Sequence, residues 1–289
     1  MKFYIVTPTF NSLHWLRCCI RSVADQVAPG IEVHHHVQDG LSKDGTVAWL
    51  EAWKESHAET SGYTFTYDSR NDVGMYDAIN KAWDAMPMDA GITAHLNSDE
   101  QYLPGALAEV AYWMQRKAAA EVLLGTYIIA DAENKYICHR RPVIPRAWSS
   151  WLNCACITNS SFYRADSFRC REPRFDTRWR CISDLVFFRD LTQHKVVFAC
   201  IPVVTSLFVC TGENLAWTNR AHEEWLSLHA DVPWLLRIAN GLIYRWVNFK
   251  RRLVDMCMSP PREYAVYAAD DESRVLYSIK EPTSAWNRK

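Results

Sequence analysis

Several short polar clusters in this chain have the composition of a site for an anionic ligand. The stretch HLNSDEQYLPGAL, residues 95–107, sets Asn97, Ser98, Asp99 and Glu100 between an apolar run and a helix start at Pro104. A hard divalent cation such as Mg2+ or Mn2+ needs a carboxylate or two plus substrate phosphates and water, so one well-placed Asp99 is enough to hold it. The same four residues also suit a turn that stops one element and caps the next. QDGLSKDGT, residues 38–46, offers Asp39 as an acceptor for a base or ribose and Asp44 as a helix cap, with Gly40 and Gly45 allowing tight turns. A plain strand-to-helix turn is the alternative.

DVGMYDAINK, residues 72–81, carries Asp72 ahead of a helix and sets Asp77, Asn80 and Lys81 in that helix's first turns. Asp77 and Lys81 share a face, either as an intrahelical ion pair or with Lys81 and the helix start turned to a phosphate or ribose. In CISDLVFFRD, residues 181–190, Asp184 stands at a helix start among apolar neighbours. Such neighbours raise a carboxyl pKa toward that of a general base. Asp184 also suits a cap, a role for which Ser183 competes.

These clusters need elements to bring them together. Lys2 to Val6 reads as a strand, Leu13 to Val27 as a helix capped by Asn11 or Ser12, Ile31 to Gln38 as a strand and Asp44 to His57 as a helix. Tyr63 to Tyr67 alternates as a strand, Met75 to Met86 is helical in period, and Ile92 to Leu96 is a short strand. Strands alternating with helices predict an α/β chain with a mainly parallel sheet, in which ligands bind outside the carboxyl ends of the strands. TPTFN with Pro8, Thr9 and Asn11, then Asp39, Asp72 and Asn97 to Glu100, all fall at those ends. Farther on, Glu121 to Ala130 and Asn159 to Arg164 read as strands, Ile182 to Leu191 as a helix, Lys195 to Val209 as one or two strands, and the chain from Thr218 as helix. From Ala268 the tail is polar and is expected to lack regular structure.

The bulk composition narrows the class. With 289 residues, 49% of them apolar, the chain can build a sizeable core without staples. A net charge of −1 gives no general attraction to nucleic acid. The ten cysteines include an adjacent pair, Cys18 and Cys19, and a C-x-C pair, Cys154 and Cys156, neither of which is a zinc spacing. Reduced, buried thiols in a cytoplasmic protein are the expectation. His34-His35-His36 lies in a strand, where only His34 and His36 share a face. No G-x-G-x-x-G follows a strand, which argues against dinucleotide binding.

Taken in order, TPTFN, QDGLSKDGT, DVGMYDAINKA, HLNSDEQYLPGAL, NSSFYRADSF, RFDTRWRCISDLVFFRDL and TGENLA resemble the family-two glycosyltransferases of the GT-A fold, in particular the bacterial branch that builds surface polysaccharides. The likeness is strong over residues 1–107 and fair to residue 216. It implies a catalytic domain over 1–216, with a nucleotide-sugar half (1–107) and an acceptor half (108–216), followed by a helical extension and tail over 217–289. It also implies inverting transfer from a nucleotide-diphosphate sugar, with UDP the expected nucleotide, to a glycan or lipid-linked hydroxyl. By the same resemblance Pro8, Thr9 and Asp39 hold base and ribose, Asp72, Asn80 and Lys81 line the donor pocket, Asp99 of the D-x-D element binds Mg2+ or Mn2+, and Asp184 is the base. The chain departs from the pattern at Asn97, at Glu100, at Asn159-Ser160, and in TGENLA, which leaves Glu213 and Asn214 with little weight.

Trp234 to Leu253 is amphipathic, with Arg237, Arg245, Arg251 and Arg252 mostly on one side. Such a helix either lies on an anionic membrane at the inner face of the plasma membrane or packs its apolar face on the domain. A nucleotide-binding or membrane-surface module without catalysis is the second functional reading, motivated by Asn97 and the altered TGENLA.

Overall fold

In the computed structural model, the described residues are 1–152, 156–268 and 271–286, so Cys154 lies outside them. The first half is the expected alternation: β1 (Lys2–Thr9), α1 (Leu13–Ala24), β2 (Glu32–Asp39), α2 (Thr46–Ser56), β3 (Tyr63–Ser69), α3 (Met75–Asp84) and β4 (Ile92–His95). β3, β2, β1 and β4 lie side by side in that order, every neighbouring pair parallel. Thr9 pairs with Asp39, Asp39 with Ser69, and Val6 with His95, which brings the four carboxyl ends onto one rim.

The alternation of side chains along β1 explains the layers. Phe3 and Ile5 face one side of the sheet and pack with Leu16, Cys19, Ile20 and Val23, spaced along one stripe of α1. Tyr4 and Val6 face the other side and meet Tyr76, Ile79 and Trp83 of α3. Each large apolar side chain sealed in this way contributes roughly 1.5–3 kcal/mol.

The second half continues the sheet with mixed directions: β5 (Glu100–Tyr102), α4 (Ala106–Arg116), β6 (Val122–Asp131), β7 (Tyr136–Arg140), β8 (Ser161–Arg164), α5 (Ala165–Arg171), α6 (Ser183–Gln193) and β9 (Phe198–Cys210). The strand order is β3-β2-β1-β4-β8-β6-β9-β5, with β7 paired to β6. β8 runs antiparallel to β4 and β6, and β5 antiparallel to β9. Parallel pairing thus joins the first four strands and also β6 with β9, and the sheet as a whole is mixed. Lys195 to Val209 yields a single strand, β9.

Beyond Trp217 the chain forms α7 (Asn219–Ala230) and α8 (Trp234–Met256), then a hairpin of β10 (Glu263–Tyr267) and β11 (Arg274–Ser278). The expectation of a tail without regular structure is overturned by β11. Tyr264, Val266 and Ile279 pack on Leu103, Ile128, Leu207 and Val209, and this apolar contact holds the hairpin against the main sheet. α8 packs on the body through Ile243, Val247 and the buried Arg251, whose Nε donates to the Arg141 carbonyl.

Candidate active site

A cleft of about 490 Å³ opens on the rim where the parallel strands end. Among its walls are Pro8 and Thr9 from β1, Asp72 from the turn before α3, Asn97, Ser98 and Asp99 from the β4–β5 turn, and Asp184 from the first turn of α6. Sheet register and the two faces of the core thus bring together residues that are far apart in sequence. Of the expected site residues, these seven share the cleft.

The remaining expected residues stand behind that wall. Asp39 is fully buried and accepts from the Ser42 amide at 3.1 Å and the Ser69 hydroxyl at 2.6 Å, with the Ser42 hydroxyl as a further donor. Its oxygens join two loops, and Asp39 is not among the residues that line the cleft. Asn11, with φ of 47°, donates its amide to Ser42 Oγ and accepts from the Lys43 amide, so it ties β1–α1 to β2–α2. Asp77 and Lys81 form the ion pair at 2.7 Å, and Lys81 also donates to the Asn71 carbonyl. Asn80 clamps the Phe175 backbone in both directions, at 2.9 and 3.0 Å. Asn80 and Lys81 are not among the residues that line the cleft.

Neither sequence-expected cap operates on α1: no side-chain bond comes from Ser12. Asp44 supplies it from the neighbouring loop, accepting from the Leu13 amide at 2.9 Å while its other oxygen takes the Thr46 amide and hydroxyl. This couples the starts of α1 and α2 at the rim. Close approach also explains Gly40, where a Cβ would stand 2.8 Å from Asp72 Oδ2.

The β4–β5 turn is built around carboxylates. Glu100 is buried and its Oε2 accepts from the Asn97 amide at 2.8 Å, so it staples the turn from within. Asp99 accepts a long 3.4 Å contact from Asn214 Nδ2, and Asn97 Oδ1 is buried with no hydrogen-bond partner among the described residues. A buried acceptor of this kind beside a carboxylate suits a hard cation, which takes oxygen donors. Burial pushes Asp99 up to about 6, and it pushes Glu100 up as well, with the Asp99 charge adding to the effect. Among the described residues, no group of three or more His, Cys, Asp or Glu is placed to hold a metal ion, so an ion here would complete its shell with water or phosphate oxygens. His34 and His36 share the Thr66 hydroxyl at 2.8 and 2.9 Å, and burial lowers the pKa of both.

Asp184 does not cap α6. Its Oδ1 accepts from the adjacent Leu185 amide at 2.9 Å and from Tyr76 Oη at 3.4 Å, while Ser183 Oγ donates to the Asp176 carbonyl. Burial raises its pKa, so the cleft is lined here by a desolvated carboxyl. Sequence reasoning missed Tyr76 and Arg180, which also line the cleft, and gave little weight to Asn214, which reaches Asp99. Tyr76 carried a signal, an aromatic in the first turn of α3, two residues after the glycine that opens it. A second, larger cavity adjoins, walled by Trp217, Trp225, Trp286 and His222, and Ala216 borders both.

A parallel half-sheet with a polar rim, joined to a mixed half-sheet and to a helix, α6, that brings the Asp184 carboxyl into the same cleft, is the arrangement of the GT-A fold class. Solved structures agree in fold. TarS residues 1–349 of S. aureus in complex with UDP-GlcNAc superposes with a TM-score of 0.60 at 17% identity, over 79% of this chain and 64% of that one. The mannosyltransferase PcManGT from Pyrobaculum calidifontis, in complex with GDP-Man and Mn2+, gives 0.59 at 17% identity, over 89% of this chain and 76% of that one. This chain thus spans less than two thirds of the first TarS chain. No curated protein sequence matches it. The glycosyl transferase family 2 model matches residues 4–176, and the chain belongs to that family. Asp184 lies just beyond the matched span.

Proposed function

We propose that the chain is an inverting glycosyltransferase that moves a sugar from a nucleotide-diphosphate donor, a UDP-sugar, to a hydroxyl of a glycan or lipid-linked acceptor in building a cell-surface polysaccharide. The carrying observation is that Asp99 of the β4–β5 turn and Asp184 of α6, far apart in sequence, line one cleft. UDP-GlcNAc and UDP in the TarS structures, and GDP-Man in PcManGT, support a nucleotide-sugar donor. A lipid-linked acceptor would be met at the inner face of the plasma membrane, with the chain in the cytoplasm and peripheral to the bilayer.

In this reading the acceptor oxygen attacks the anomeric carbon, the bond from that carbon to the diphosphate oxygen breaks, and the acceptor proton passes to Asp184 Oδ2. Leu185 N–H and Tyr76 Oη hold Oδ1 and fix the carboxylate plane. Asp99 and Asn97 Oδ1 would hold a divalent cation, Mg2+ or Mn2+, which neutralises charge developing on the leaving diphosphate. Pro8, Thr9, Asp72 and Ser98 wall the nucleotide side. The aromatic cavity beyond Ala216 takes the acceptor.

Calorimetric titration with UDP, GDP and dTDP, with and without Mn2+, fixes the nucleotide, and release of free sugar fixes catalysis. Asp184→Asn should cut transfer about a thousandfold and leave nucleotide affinity intact. Asp99→Ala should abolish transfer and also weaken the Mn2+-dependent binding. Unchanged turnover in both variants would sink the assignment. Nucleotide binding by the parent without transfer or sugar release would mark a binding module instead.

A further inference from the structure

The outer surface of α8 carries large apolar side chains where a soluble helix would carry polar ones. Trp234, Ile238, Leu242, Phe249 and Met256 recur at spacings of four and seven residues, which places them on one helix face. That face is the one turned away from the body. Ile238 is 75% exposed, Leu242 69% and Phe249 57%, whereas the opposite face holds the buried Ile243, Val247 and Arg251. Packing on the domain therefore accounts for one narrow stripe of the helix and leaves the wider one without a partner.

The charges beside the stripe say what would cover it. Arg245 and Arg252 border it along one edge and Lys250 lies toward the other, all three exposed. The helix has a single carboxylate, Asp255, and that group is drawn inward to Arg141 at 2.9 Å. An apolar strip flanked only by cations matches a layer whose interior is hydrocarbon and whose surface is anionic. A second copy of the chain would set the same cations against each other across a shared stripe. Among the described residues no helix is long and apolar enough to cross a membrane, so α8 would lie along the surface.

We infer that the outward stripe of α8 docks the protein on an anionic lipid surface, with Ile238, Leu242 and Phe249 entering the acyl boundary and Arg245, Lys250 and Arg252 meeting lipid phosphates. This surface is distinct from the cleft, and its test does not depend on sugar transfer.

The test is sedimentation of the full chain with vesicles of pure phosphatidylcholine, or with one quarter phosphatidylglycerol. The parent should pellet with the anionic vesicles and be released by high salt. Replacing Ile238, Leu242 and Phe249 together by Ser should lower the partition coefficient about a hundredfold. Replacing Arg245 and Arg252 by Ala should lower it about tenfold, on anionic vesicles only. Because all five side chains are exposed, circular dichroism and nucleotide affinity should match the parent in both variants. A parent that stays in the supernatant at every composition, or a stripe variant that pellets like the parent, overturns the inference. So does a concentration-dependent dimer in light scattering that the stripe variant dissolves, which would make the occupant a second copy.

Discussion

Burial holds a proton on Asp99 up to about pH 6, whereas in the unfolded chain the same carboxyl loses it at about pH 4. Between those values the native state binds the extra proton, so stability falls as pH rises through the window, and the full cost persists above it. Asp99→Asn should therefore be more stable than the parent by up to about 3 kcal/mol at neutral pH, with the difference vanishing near about pH 4. Chemical denaturation at the two pH values checks this, and a variant less stable at neutral pH contradicts it. At this scale the sequence showed the cleft residues that sit directly at strand ends: Pro8, Thr9, Asp72, Asn97, Ser98 and Asp99. Asp184 was visible through its apolar neighbours. Asp39, Asn80 and Lys81 have the right chemistry but are committed to Ser42 and Ser69, to Phe175 and to Asn71, partners that no local spacing reveals.

At the scale of elements, one side chain adds a polar tie to the apolar packing of the C-terminal hairpin. Arg274 of β11 pairs with Asp25 at 2.6 Å, and its Nη1 donates to the carbonyls of Tyr102 and Ala265, both at 2.9 Å. With only 11% of its side chain exposed, its removal leaves a carboxylate and two carbonyls short of a donor. Arg274→Ala should lower stability by about 2–3 kcal/mol and make the hairpin the first site of proteolytic cutting. Equal thermal midpoints for variant and parent would count against that role. The hairpin was also the hardest element to read, because β10 and β11 are short and partly polar and gain order only by packing on Leu103, Ile128 and Leu207. β1, β2 and β4 were legible as largely buried apolar runs, and β3 by its alternation of buried Tyr63 and Phe65 with less buried neighbours. β5 and β7 were not, since a three-residue and a five-residue strand carry too little pattern.

Across the whole molecule, two cavities meet at Ala216, one walled by carboxylates and the other by tryptophans. If the second cavity takes the acceptor, Trp225→Ala should cut transfer to a membrane-extracted acceptor about tenfold. Hydrolysis of the nucleotide-sugar by water should stay at the parent rate, and equal losses in both reactions would assign the aromatic cavity to the donor.

The attachment of the hairpin has one more effect, on how copies of the chain behave in a crowded solution. β5 ends the strand order, and its outward backbone groups would be open to strand addition by another molecule. The Tyr102 amide is instead taken by Ser22 Oγ and its carbonyl by Arg274, while Gln101 bonds the Tyr267 backbone in both directions. With that border of the sheet sealed by its own chain, the protein has removed a template for runaway β-association.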